Sequence, residues 1–205
     1  MNLERTFKDE NESCSFSFQS AIWATYQLND IFHNAKLSIL KDVDFVVETD
    51  ENLIFIEYKN SNHVDVTNPA AFNPRENKKI IDVARKYYDS LNFVRALGKG
   101  QNKKKIYVYI VEVPNGDKVL RGHLRDSLYN QLPFLLSDQN ELQENMIDLV
   151  QVLSIDEWNK FYKDFPAKRL KEAITQKIRE CKFFCVTAMI NAVMARSVIG
   201  LTQNF

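Results

Sequence analysis

A chain of 205 residues, 45% of them apolar and with only 5 Gly and 5 Pro, is long enough to bury a substantial core and too hydrophobic for a disordered segment. Its 27 Lys and Arg equal its 27 Asp and Glu, so no global basic field marks it as a nucleic-acid binder, and any anionic partner must meet a local patch. Three cysteines, Cys14, Cys181 and Cys185, make no disulfide framework, and the acidic start MNLERTFKDENE lacks the basic-then-apolar order of a secretion signal, so a reducing, cytoplasmic setting is expected.

In chain order, residues 17–33 (SFQSAIWATYQLNDIFH) carry Ala21, Ala24 or Thr25, Leu28 and Phe32 at helical spacing and predict a first amphipathic helix. KLSI at 36–39 is short and ambiguous. VDFVVE and NLIFIEYK, rich in β-branched and aromatic residues, flank the turn residues 49–52 and read as a hairpin, or as a three-strand meander if KLSI joins. The Asn- and Pro-rich run 60–74 predicts a long loop, placed where a ligand-contacting role has to be considered.

A strong helix follows. Ile80, Ala84, Tyr87, Leu91 and Val94 form one apolar stripe opposite Lys79, Asp82, Lys86 and Asp89, and Gly98 and Gly100 end it. The near-continuous apolar run from Ile106 to Val113 predicts a central strand buried on both faces. Beyond Pro114 come a helix (HLRDSLYNQL) stopping at Pro133, an edge strand in MIDLVQVLSI, and a capping box from Ser154 to Glu157 opening a short helix.

From Pro166 a long helix is expected, with Leu170, Ile174, Ile178, Cys181 and Cys185 on one stripe. Its most apolar part, residues 183–195, lies between Lys182 and Arg196 and falls short of the roughly 20 residues needed to span a bilayer. It is expected to pack under the domain or against a partner, a homodimer contact being one possibility, with no membrane partner. The division is therefore an α/β domain over 1–165 and a helical extension over 166–205.

The hairpin carries charge where buried strands normally do not. Alternation puts Leu53, Phe55, Glu57 and Lys59 on one face of the second strand and Ile54, Ile56 and Tyr58 on the other. A turn near 50–52 pairs residues whose numbers sum to about 102, setting Asp44 opposite residue 58 and beside Glu57 and Lys59. Two carboxylates helped by a backbone carbonyl such as that of Tyr58 suit Mg²⁺ or Mn²⁺, with room for water and a phosphate oxygen. The lysine would orient or help deprotonate the attacking water and offset phosphate charge, and the sum is phosphodiester hydrolysis.

The pattern Val43-Asp44, a spacer, then Ile56-Glu57-Tyr58-Lys59, after a predicted helix and before a helix and a buried strand, resembles the PD-(D/E)xK nuclease superfamily. The resemblance covers roughly residues 15–113 and implies a restriction-endonuclease-like core of order αβββαβ, a central mixed sheet flanked by helices. It further implies Asp44 and Glu57 as metal ligands and Lys59 as the catalytic lysine. Val43 stands where the nominal motif has proline. Where many members carry a glutamate on the first helix, this sequence offers Gln19, with Asp30 further along; Glu10 and Glu12 would reach only from an earlier helix start.

Between residues 75 and 105 ten basic side chains face three acidic ones, and Arg75, Lys78 and Lys79 at the predicted helix start are the best candidates for phosphate contacts. Individually such lysines are more often a solvated helix face. His33, His63 and His123 are scattered without zinc spacing, and no glycine-rich phosphate loop is present. The functional expectation is a metal-dependent nuclease acting on DNA. The alternative is a catalytically inactive nucleic-acid-binding or assembly protein of the same fold, and a third reading is an interaction module acting through its C-terminal helix.

Overall fold

The computed structural model describes residues 5–61, 73–113, 117–138 and 142–170. They form an α/β architecture of two sheets. The strands are β1 (Thr6–Lys8), β2 (Cys14–Ser17), β3 (Trp23–Thr25), β4 (Phe45–Glu48), β5 (Asn52–Asn60), β6 (Lys104–Glu112), β7 (Leu149–Leu153) and β8 (Ala167–Arg169). The helices are α1 (Leu28–Asn34), α2 (Asn77–Ala96), α3 (Lys118–Tyr129) and α4 (Ile155–Phe161), with a 3₁₀ turn at Pro133–Asp138. One sheet has five strands in the order β3-β4-β5-β6-β7, and the other has three in the order β1-β2-β8.

The larger sheet is mixed. β3, β4 and β5 are antiparallel neighbours, whereas β5, β6 and β7 run parallel, linked by crossovers that contain α2 and α3. Both faces are covered, as the unbroken apolar runs of β5 and β6 require. One face packs Leu53, Phe55, Tyr107 and Tyr109 against Ile80, Ala84, Tyr87, Leu91 and Val94 of α2. The other packs Phe45, Ile54, Ile56, Val108 and Ile110 against Phe16, Phe18 and Trp158. All five residues of the expected α2 stripe are buried.

Four local expectations are corrected. Residues 17–33 are not one helix: only Leu28–Asn34 is helical, preceded by β2, a turn and β3. Cys14, Phe16 and Phe18 are fully buried at a period of two, and that alternation, which runs into the segment from its N-terminal side, outweighs the weaker helical spacing. The run 36–39 forms turns, so the strand beside β4 is supplied from before α1 and the order is strand, helix, strand, strand. Trp23, expected on a helix, lies on β3 with the Lys99 ammonium over its ring. At Pro166 the chain enters β8 instead of a helix, and the Ser17 amide donates to the Pro166 carbonyl at 2.9 Å. The rest of the expected C-terminal helix, with its dimer contact and Cys181 and Cys185, lies outside the described residues.

Other expectations agree. Ser154 and Glu157 form the capping box of α4, each side chain accepting the other residue's backbone N–H. Gly98 and Gly100 both have positive φ, 72° and 69°, past the end of α2. Their surroundings differ. A Cβ on Gly98 meets open space, but on Gly100 it would overlap the fully buried Leu53 side chain, and the Gly100 amide donates to the Glu48 carboxylate at 3.0 Å. Gly100→Ala is therefore expected to cost about 2–3 kcal/mol in urea unfolding, against about 1 for Gly98→Ala; equal losses would refute the packing argument.

Candidate metal and phosphate site

Asp44 ends the approach to β4 and Glu57 lies near the end of β5. The observed register, Phe45 opposite Ile56 and Glu48 opposite Leu53, differs by one residue from the expected one. Continued one step, it sets Asp44 opposite Glu57, with both side chains on the α2 face. Because side chains alternate, a partner at position 58 would have sent Asp44 to the other face, so the one-residue shift is what assembles the pair. Lys59 follows on the same face and is exposed.

Several neighbours fix this geometry. The Tyr58 backbone N–H donates to Asp44 Oδ2 at 2.7 Å. In a strand a residue's C=O lies on the same edge as its N–H, so the Tyr58 carbonyl also faces the β4 side, where Asp44 stands. The segment leading into β4 is clamped by α2: the Val43 amide donates to Ser90 Oγ and the Lys41 amide to Asp89 Oδ2, both at 3.0 Å. Asn29 of α1 donates to Asp42 Oδ1 at 3.2 Å.

Glu57 is 5% exposed, and its two carboxylate oxygens accept from Lys86 Nζ of α2 at 2.7 and 2.9 Å. Burial raises the Glu57 pKa, opposed by Lys86. Asp44 is pushed well up from the usual carboxylate range, first by burial and then by the negative charge of Glu57, while Lys86 and the Tyr58 amide pull the other way. Burial disfavours the Lys86 ammonium, but the charges of Glu57 and Asp44 outweigh it and hold its pKa above the ordinary lysine value. The site thus sets two carboxyl groups side by side at a buried sheet end, with the Lys86 ammonium bonded to Glu57 and the Lys59 charge acting on it as well.

On its outer side Asp44 lines a cavity of about 230 Å³ that also has Glu10, Asp30, Asp42, Tyr26 and Asn29 on its walls. Glu10, from the turn between β1 and β2, contributes to the upward shifts of Asp42 and Asp44. The Asp9 carboxylate is committed elsewhere, accepting from the Cys14 amide at 2.6 Å and from Ser13 Oγ at 3.0 Å.

A linkage consequence follows. With its folded-state pKa above the unfolded value, Asp44 keeps a proton in the native state that the unfolded chain has already lost. Stability of the metal-free protein should therefore fall as pH rises from the ordinary carboxylate range through the raised Asp44 value. Asp44→Asn should flatten that slope in urea titrations from acid to neutral pH; an unchanged slope would show that Asp44 ionises normally.

The sequence-derived candidates divide clearly. Asp44, Glu57 and the Tyr58 backbone converge, with Lys59 on the same face; Gln19 does not join them. It is exposed in the turn after β2 and lies on no helix, so it cannot take the place of a first-helix acid. Arg75, Lys78 and Lys79 are exposed at the start of α2. His63 lies outside the described residues. The basic run from 75 to 105 is not a free patch: Arg85 pairs with Asp89, Lys86 with Glu57, Lys99 and Lys103 with Glu48, and Arg95 and Lys105 with Glu144.

Two residues escape the sequence reading, and a third arrives by a different route from the one expected. Lys86 had been assigned to the polar face of α2, yet Val83 and the buried Ser90 lie three residues before and four after it, which widens the buried face to its flank. Asp42 was readable only as part of a strand's lead-in. Glu10, expected to reach only from an earlier helix start, comes to the cavity from the turn between β1 and β2 instead.

The chain matches no known family model, no curated protein and no solved structure. Its own chemistry must carry the reading. Among the described residues no group of three or more His, Cys, Asp and Glu is arranged to hold a metal ion. Two carboxylates and a carbonyl nevertheless suit Mg²⁺, which keeps several waters and takes one or two protein carboxylates. The Lys86 ammonium already marks Glu57 as a place where a cation is favoured.

Proposed function

We propose that this protein is a Mg²⁺- or Mn²⁺-dependent nuclease that hydrolyses phosphodiester bonds, DNA being the favoured substrate, on a restriction-endonuclease-like core. The observation that carries the reading is the alignment of Asp44 and Glu57 on one face at the end of the sheet, with Lys59 following on that face. The PD-(D/E)xK resemblance assigns the same three residues.

In this reading Asp44, Glu57 and the Tyr58 carbonyl would hold the cation, which when bound supplies a Lewis acid and a more acidic water. Lys59 orients the attacking water and offsets charge on the phosphate as it develops. Because a crossover helix starts at the end where its preceding parallel strand stops, Arg75, Lys78 and Lys79 lie toward the same end as Lys59 and would bind flanking phosphates. The cytoplasmic setting and the homodimer through the C-terminal segment belong to the same reading; light scattering of the full chain tests the latter, and a monomer would remove it.

Labelled single- and double-stranded DNA and RNA incubated with Mg²⁺ or Mn²⁺ test the activity. Cleavage by the wild type and its loss in Lys59→Ala are expected; a folded wild type inactive on the whole panel would overturn the reading. A second reading, a nucleic-acid-binding protein without turnover, draws on the Lys86–Glu57 ion pair, which satisfies Glu57 without metal. DNA affinity without cleavage would select it.

A further inference from the structure

Glu57 does not wait for a cation. Both of its carboxylate oxygens are taken by Lys86 Nζ at 2.7 and 2.9 Å, from a side chain that is itself only 28% exposed. Lys86 is presented by a packed helix, one residue before the fully buried Tyr87 and four before the buried Ser90. Its aim is therefore set by the core and not by a free rotamer search.

An ammonium donating to both carboxylate oxygens and a divalent ion ligated by them compete for the same lone pairs and repel each other across a poorly solvated gap, so each weakens the other's hold. Charge count points the same way. Asp44 and Asp42 act electrostatically on Lys86 alongside Glu57, so the ammonium balances an acidic group that would otherwise be underneutralised.

We propose that Lys86 is the resident counter-ion of the Asp44–Glu57 site, and that a divalent cation enters by displacing the Lys86 ammonium from Glu57. The proposal rests on reading Asp44 and Glu57 as metal ligands. Lys86 is then a positioning residue: it holds Glu57 in place without metal, and it sets how tightly the metal binds. Released from Glu57, its ammonium remains on the α2 face of the same sheet end, within the field of the other acids.

Mn²⁺ binding, followed by calorimetry and by the spin-resonance signal of the free ion, tests this on the full-length chain. Lys86→Met and Lys86→Gln should each bind Mn²⁺ roughly tenfold tighter or more than wild type, because the competitor is gone. Lys160→Met, at an exposed lysine on α4, should show no such gain. If both Lys86 variants bind equally or more weakly, the proposal is overturned.

The wild type gives an independent readout that does not depend on either variant folding. Lysine acetylation mapped by mass spectrometry should rise at Lys86 when Mn²⁺ is added; unchanged labelling at saturating Mn²⁺ would also overturn the displacement. Absence of Mn²⁺ binding in wild type and variants alike would remove both the metal site and the counter-ion role. The expected order of affinities without cleavage of any nucleic acid would leave Lys86 as proposed and remove only the nuclease function.

Discussion

On the proposed nuclease function, replacing Glu57 by glutamine should reduce Mg²⁺-dependent cleavage on the order of 10²–10³-fold, and Lys59→Ala should do so to a similar extent, but with different signatures. Glutamine keeps the shape of the side chain and removes the charge that a hard cation requires, so part of the lost rate should return as the metal concentration is raised. In the proposed division of roles Lys59 is not a metal ligand, so its loss should lower kcat at saturating metal and no added ion should restore it. Lys59 is exposed, so its truncation removes no core packing, and the Lys59→Ala unfolding midpoint should stay close to wild type. Matching metal dependence in the two variants would break the division of roles between the strand's acid and its lysine.

Lys86→Met should destabilise the metal-free protein by about 3 kcal/mol in urea unfolding near neutral pH, since it leaves a buried carboxylate without the ammonium hydrogen-bonded to both of its oxygens. Glu57→Gln with Lys86→Met should recover much of that loss, giving a coupling of about 2 kcal/mol in the double-mutant cycle. Without Lys86 the burial term on Glu57 is less opposed, so its folded-state pKa rises further above the unfolded value. The Lys86→Met deficit should then be smallest in acid, where Glu57 is protonated in both states, and grow as pH rises through the Glu57 value. Additive single-variant losses would show that the two side chains do not depend on each other.

These two experiments address parts of the site that were unequally legible. Asp44, Glu57 and Lys59 were readable because a strand has a period of two and because charge is rare in a run as apolar as VDFVV or NLIFI. Lys86 was not readable in the same way, since a helix position on the flank of a stripe faces either solvent or a neighbour depending on what the sheet presents there. Gln19 shows the reverse error. A helical spacing of small residues suggested a first helix, whereas Cys14, Phe16 and Phe18 use their alternation to line the second core cluster. Five of the ten basic residues between 75 and 105, Lys86, Arg95, Lys99, Lys103 and Lys105, looked like part of one patch because their partners, Glu48, Glu57 and Glu144, are distant in sequence.

Local periodicity by itself determined the long helix Asn77–Ala96, the central strands Asn52–Asn60 and Lys104–Glu112, the capping box at Ser154 and the face that carries Glu57 and Lys59. Those features announce themselves in the spacing of residues a few positions apart, which the order of the chain encodes directly. Only the tertiary structure decided the one-residue register that turns Asp44 toward Glu57, the arrival of Lys86 on that carboxylate, and the placing of Glu10 and Asp42 around the cavity. Each of these sets charges side by side from separate elements. In a poorly solvated interior the energy of such pairs depends on distances that no single element contains.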